Sequence, residues 1–287
     1  MSTTVAAPSE HRAQRTARRR RPGRRWTRFL LPAYSWLIIA YLVFPIVVMV
    51  LYSFNKVTTG LPQVSFTWNG FTTQWYRQWD SVSGLTNAFW LSIRLSLAAT
   101  LLATVIGTLL ALALVRYRPP RFRGRMVMEQ VMFLNIAAPE IVLGASLLGL
   151  FVTVNLARGF ATLLLAHVAF SIAYVAVTVR ARMAGFDRSL EEAAADLGAN
   201  SWTTFRKITF PIILPGILAG ALMAFALSID DFVTSNFVSG SATPFPVWVY
   251  GATRVGIPPQ VFVFGSAIFG FGILCAFASI VLSRRQV

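Results

Sequence analysis

Residues 181–216 read ARMAGFDRSLEEAAADLGANSWTTFRKITFPIILPG, a polar passage set between two long apolar runs. Its first half is rich in Ala, Leu and Glu with acids in the early turns, which predicts a helix over about 188–197, with Asp187 or Ser189 as N-cap. Gly198 and Asn200 break that helix, as a glycine past a helix C-terminus commonly does. A second short helix is expected over about 201–209, opening on Ser201 and stopping before Pro211. Such a helix–Gly–helix elbow presents a small convex surface, with Leu197, Trp202, Phe205 and Ile208 available for packing. The bland alternative is an amphipathic connector lying against lipid headgroups.

What flanks the elbow sets its surroundings. Of the 287 residues 56% are hydrophobic and 13% charged, against roughly a quarter charged in soluble domains. Six apolar runs can cross a hydrocarbon core roughly 30 Å thick: residues 30–54, 88–115, 127–154, 159–179, 212–238 and 261–282. The formal charge of +16 looks like a nucleic-acid signature until it is mapped. Residues 1–29 hold nine arginines and one glutamate. Alternate loops carry most of the other bases: Arg116, Arg118, Arg121, Arg123 and Arg125, then Arg180, Arg182, Arg188, Arg206 and Lys207, then Arg284 and Arg285. The intervening loops hold only Lys56, Arg77, Arg158 and Arg254. Basic loops stay cytoplasmic, so both termini and the elbow are expected inside, with an even number of spans.

The chain therefore reads as an all-α polytopic membrane protein with six transmembrane helices. Residues 1–29 form a disordered basic tail touching anionic lipid rather than nucleic acid, and 30–287 the transmembrane domain. The first apolar run is too long for a cleavable signal peptide. Cys275, the single cysteine, offers neither a disulfide nor a metal site and reads as a packed thiol. No phosphate-binding loop, HExxH, nucleophile elbow or cysteine pair occurs. No catalytic residue is assigned, and any step driven by ATP needs another chain.

The fifth run carries LSIDDFVTSNF at 227–237, two adjacent carboxylates in a segment built for hydrocarbon. Counted from residue 212, Asp231 lies about 19 residues up, roughly 28 Å, in the outer part of the bilayer. A charge at the centre of a span costs about 2.5–3.5 kcal/mol, so both acids should face protein or water. Ser228, Asp231 and Ser235, with Thr234 beside them, make one polar stripe, while Asp230 points about 100° away and is free to hold a neighbouring helix. Glu140, after Pro139, falls near mid-depth of the third span; its competing reading is a hydrogen bond between helices. His167 in the fourth span reads as a packing group, and Arg94 as structural or snorkelling, within reach of one of the acids. Three acids with few compensating bases point to a pathway for a cation. An organic polycation fits, because carboxylates pair with ammonium groups while Phe232, Phe237, Phe245, Trp248 and Tyr250 offer π faces. A small metal ion would need more oxygen ligands packed closer, so no metal site is assigned.

Two sets of residues carry a resemblance. Glu192-Ala193-Ala194, three residues, Gly198, nine residues, Ile208, one residue and Phe210-Pro211 resembles the EAA signature of binding-protein-dependent ABC importer permeases, departing from it only at Phe210, where the signature has leucine. SIDDFVTSNFVSG (228–240), FTWNGFTTQWY (66–76), RYRPPRFRG (116–124), APEIVLGASLL (138–148) and RVGIPPQV (254–261) resemble the spermidine/putrescine, PotC-type, subfamily. The similarity covers most of the chain after about residue 30.

The resemblance implies the type I ABC importer permease fold, with a coupling loop over about 186–211. In it Glu192, Ala193, Ala194, Leu197, Gly198, Trp202, Phe205, Ile208 and Pro211 would transmit the closure of a cytoplasmic ATPase dimer. ATP and Mg would bind that ATPase, with no cofactor on this chain. The other implied partners are a second permease subunit, as a heterodimer, and an extracytoplasmic substrate-binding protein, all at a bacterial inner membrane. Polyamine cargo would pass Asp230, Asp231, Glu140, Ser228, Thr234, Ser235, Trp248 and Tyr250. Trp68, Trp75, Tyr76 and Trp79 would meet the binding protein or anchor at the interface. The alternatives are an importer permease for another cationic or small polar solute, and an ion-coupled carrier with Glu140, His167 and the aspartates as a proton relay.

Overall fold

The structure, a computed structural model, describes residues 27–57, 67–116 and 124–284. The expectations for the basic tail before residue 27, for Arg118, Arg121 and Arg123, and for the Cys275 side chain lie outside the described residues. The chain divides into two units, Met1–Val48 and Met49–Val287. The helix α1 (Thr27–Tyr52) makes up the described part of the first unit and ends in the second; it is apolar apart from Arg28 and holds Pro32 and Pro45 in its interior.

The apolar runs are largely helical, and among the described residues four helices are long and apolar enough to cross a membrane, or five if one bent pair counts as a single span. In the second unit α2 (Gln74–Arg77) is a single turn, followed by α3 (Leu85–Arg116). The third run is not the straight helix expected over 127–154. It is α4 (Gly124–Ala137) and α5 (Glu140–Thr153), bent by 111° at the break. Pro139 causes it: the ring removes a backbone donor and holds Ala138 out of the helical region. Next come α6 (Phe160–Met183), the elbow helices α7 (Ser189–Asp196) and α8 (Ser201–Thr204), and α9 (Phe210–Asp230). The fifth run is also interrupted, because Asp231 is extended (ψ 113°) and a separate α10 (Val233–Val238) follows. The chain closes with α11 (Phe245–Ala252) and α12 (Gln260–Arg284).

The second unit is built on α3, α6 and α9, which pack on one another along their lengths. Lipid supplies no hydrophobic drive between helices, so close approach through small side chains is what holds them. The buried face of α3 is a row of such positions: Ala99, Ala103, Gly107 and Ala111. Val175 of α6 is the wedge between its neighbours. A Cβ on Gly107 of α3 would stand 2.8 Å from the Val175 Cβ, and one on Gly220 of α9 would stand 3.3 Å from its side chain. At the end away from the elbow, α5 packs on α10, and the N–H of Phe245 in α11 donates to Ser92 Oγ of α3 at 2.8 Å.

The aromatic loop is mainly architectural. Trp75 is buried and its Nε1–H donates to the Asn55 carbonyl at 2.8 Å, while Tyr76 stacks on Phe54 (4.9 Å) and shares a 2.7 Å hydrogen bond with Ser53. Trp79 packs edge-on against Phe264, and Trp68 is left exposed.

The elbow forms with three differences from expectation. The N-cap of α7 is Arg188, not Asp187 or Ser189. Asn200, not Ser201, caps α8, its side-chain oxygen accepting the Thr203 N–H at 2.8 Å. The second helix does not stop before Pro211; it runs through a π-helical turn, Phe205–Thr209, directly into α9. Pro211 follows directly on that π turn, where the regular i→i−4 bonding is already interrupted.

Candidate functional site

Two interrupted helices meet at one cavity. The α4–α5 break and the α9–α10 break both open into a space of about 370 Å³ whose wall includes Asn135, Glu140, Phe170, Tyr174, Asp230 and Phe232. Broken helices at membrane depth are tolerated where they line a polar cavity. Glu140 stands at the first position of α5, exposed into this space, rather than partway along a straight span. Asp230, the last residue of α9, is exposed there too, and among the described residues its carboxylate bonds no neighbouring helix. The two carboxylates contributed by different runs thus come together. Asn135 adds a buried side-chain oxygen with no protein donor among the described residues, while its amide donates to the Ala169 carbonyl at 3.3 Å.

Asp231 behaves differently from its neighbour, although it also borders the cavity. Its Oδ2 accepts the Ser235 N–H at 2.7 Å and its Oδ1 the Thr234 N–H at 3.2 Å, which caps the free donors at the start of α10. The imidazole of His167, fully buried on α6, lies 3.4 Å away through Nε2. That ring also meets Ser228 through Nδ1 (2.7 Å) and Ser235 through Nε2 (3.0 Å). The stripe of Ser228 and Ser235 therefore turns into the protein and holds His167, not the cavity. Thr234 is buried at the cavity wall.

The remaining expected groups scatter. Trp248 lines a separate space with Ser81, Val82 and Val255. Tyr250 reaches the acidic cavity only through Phe232, on which it packs at 4.6 Å, and its ring carries the Arg254 guanidinium at 5.3 Å. Arg94 is exposed and pairs with neither aspartate. The sequence reading missed Asn135, Phe170 and Tyr174. The signal was present: His167, Phe170 and Tyr174 follow i, i+3, i+7 and so share one face of α6.

The elbow is a second candidate surface. Leu197 is 89% exposed and Trp202 67%, at the convex turn between α7 and α8. Gly198 sits there at φ +81°, its N–H donating to the Ala195 carbonyl while the N–H of Ala199 donates to that of Ala194. This pair of bonds closes α7 and needs a left-handed residue at Gly198. At the other end of α7 the backbone N–H of Ser189, then its hydroxyl, hold the Asp187 carboxyl below the usual carboxylate range. Phe205 stacks on Trp202 at 5.8 Å, and Ile208 is half-buried. Within the EAA triplet Ala194 is buried, while Glu192 and Ala193 are exposed. Pro211 opens α9.

The residue that ties the elbow to the bundle was not foreseen. Glu191, beside Glu192, bonds both Arg116 at the end of α3 and the Thr209 hydroxyl at the π turn, and Arg116 also donates to Thr209 at 3.0 Å. Arg188 adds a bond to the Val115 carbonyl at 3.0 Å, and Arg182 one to the Ile212 carbonyl at 3.1 Å. Nothing in local spacing links residues 75 positions apart, so Arg116 read only as a topology charge.

Comparison with known proteins places these features in a family. A family model described as binding-protein-dependent transport system inner membrane component matches residues 103–285. The spermidine/putrescine transport system permease protein PotC of Haemophilus influenzae is 40% identical over 257 residues, covering 89% of this chain and 95% of that one. PotC of Escherichia coli K12 is 36% identical over 260 residues (90% and 96%), and its putrescine transport system permease protein PotI 37% over 254 residues (86% and 88%). Among solved structures, a bacterial alginate ABC transporter aligns with a TM-score of 0.64 at 14% identity, covering 91% of this chain and 94% of that one. The MetNI methionine ABC transporter in an inward-facing form aligns with a TM-score of 0.60 at 17% identity, covering 71% and 96%. Those two likenesses establish the fold, the all-helical type I ABC importer permease. With most of its length matched and its relatives covered nearly end to end, the chain belongs to the binding-protein-dependent transport system inner membrane components, as a multi-pass transport subunit.

Proposed function

We propose that this chain is one of two permease subunits of an ATP-driven importer for polyamines. Both termini and the elbow face the cytoplasm of a bacterial inner membrane, and residues 30–287 form the transporting domain. An ATPase pair binds ATP and Mg below the elbow, and a substrate-binding protein delivers cargo from the other side. Closure of the ATPase pair pushes on Leu197 and Trp202, and the Glu191–Arg116–Thr209 contacts carry that displacement to α3 and α9 as rigid elements.

The observation that carries the polyamine reading is the joining of Glu140 and Asp230 in one aromatic-walled cavity. Its volume falls within the range of small-molecule pockets. The two carboxylates are acceptors only, suited to the N–H groups of protonated amines. The Phe170, Tyr174 and Phe232 rings suit both a methylene chain and an ammonium. An anionic cargo would meet repulsion at the same wall. The names of the permease relatives support the same cargo.

The test is uptake of labelled spermidine and putrescine by cells expressing the chain with its partner subunits. Uptake that requires an intact ATPase and survives an uncoupler is expected. Uptake abolished by the uncoupler but preserved without the ATPase would establish an ion-coupled carrier instead. Absence of polyamine uptake, with another cation accumulated, would keep the importer and change its cargo.

A further inference from the structure

His167, fully buried in the core of the second unit, is left unexplained by cargo contact, since it does not line the cavity. It sits on α6 near apolar Leu163 and Ala166, where a polar group without partners would be costly. Its partners span the α9–α10 interruption: Ser228 before it, Asp231 within it and Ser235 after it. A carboxylate only accepts, so Asp231 selects the ring form with its proton on Nε2, and Nδ1 then accepts from the Ser228 hydroxyl. Both nitrogens are thus engaged, one per side of the break.

We propose that His167 is a positioning residue for the cavity: it pins α6 to both sides of the interruption and, through Asp231, fixes the direction in which Asp230 and Phe232 enter the cavity. The break has no backbone ladder of its own to do this. Asp231 is extended, and α10 is only six residues long, too short to hold its place by helix formation alone. The cap that Asp231 places on Thr234 and Ser235 orients α10, and His167 orients the cap. Asp231 and the residues flanking it all border the cavity on this side. The consequence for cargo rests on the polyamine reading above; the positioning itself does not.

The experiment uses the complete complex in proteoliposomes, with His167→Gln, His167→Asn and His167→Ala. A glutamine amide reaches the place of Nε2 and can still meet Ser235 and Asp231, whereas an asparagine amide reaches only that of Nδ1. His167→Gln should keep the spermidine KM within about twofold of wild type, while Asn and Ala raise it about tenfold with the maximal rate and ATP hydrolysis little changed. An unchanged KM in His167→Ala, or a Gln variant no better than Ala, would overturn the proposal. A cargo-independent measurement accompanies it: labelling of Phe232→Cys, in a Cys275→Ser background, by a cationic methanethiosulfonate. The rate should shift at least about fivefold with His167→Ala and stay near wild type with His167→Gln. Equal rates in all three backgrounds would overturn the proposal. A shifted rate in a complex that takes up no spermidine supports it and removes the cargo reading alone. Should His167→Ala fail to assemble, His167→Asn carries both comparisons.

Discussion

Adding a single methyl group at Gly107 tests how tightly the bundle is drawn together. In Gly107→Ala the new Cβ would stand 2.8 Å from Val175 Cβ and 3.0 Å from the Ile172 carbonyl oxygen, so backbone as well as side chain must move. Overpacking of that kind costs about 1–3 kcal/mol. A lower melting temperature of the detergent-purified complex is expected for Gly107→Ala, and a smaller change for Gly149→Ala, where a Cβ meets nothing within 4 Å. At this scale the sequence was partly legible. Asp230, Asp231 and Glu140 stood out because charge is rare in an apolar run, and the structure brings all three to one cavity. Which aspartate was held and which was free could not be read. Periodicity assumed one straight helix through 212–238, and the break after Asp230 exchanged the two directions.

Elements transmit what residues hold. The Glu191 clasp joins α7, α3 and the π turn, with its two ionic partners 25% and 43% exposed. Exposed ion pairs add at most about 1 kcal/mol, so Arg116→Ala should barely alter stability. It should nevertheless lower the spermidine transported per ATP hydrolysed, because the clasp joins Glu191 to α3 and to the π turn. Parallel assays of uptake and hydrolysis check this; an unchanged ratio would remove the clasp from the force path. The double variant Leu197→Ala/Trp202→Ala should uncouple hydrolysis from uptake more completely, without loss of folded protein. The outline of the elbow was legible, since helix-forming composition and Gly198 are local signals, but its caps and the stop expected before Pro211 were not. The π turn was not, because it leaves no mark in propensity. The clasp was not either, being a pairing of distant residues.

For the whole molecule, composition and charge alternation sufficed for the class: an all-helical membrane protein of six apolar runs. The bend at Pro139 was visible as a proline but not as a 111° turn, which depends on what the two halves pack against. The proposed orientation rests on the basic loops: reporters fused at either terminus should be active only on the cytoplasmic side, and a periplasmic signal at one end would break the alternation argument. The central claim, that a polyamine passes between Glu140 and Asp230, is tested most directly by spermidine uptake kinetics of Glu140→Gln and Asp230→Asn in the reconstituted complex. Each neutral amide keeps the shape and removes one charge-assisted hydrogen bond, so the KM should rise about tenfold or more for each. A KM equal to wild type in both variants, with uptake intact, would contradict a carboxylate site for the cargo.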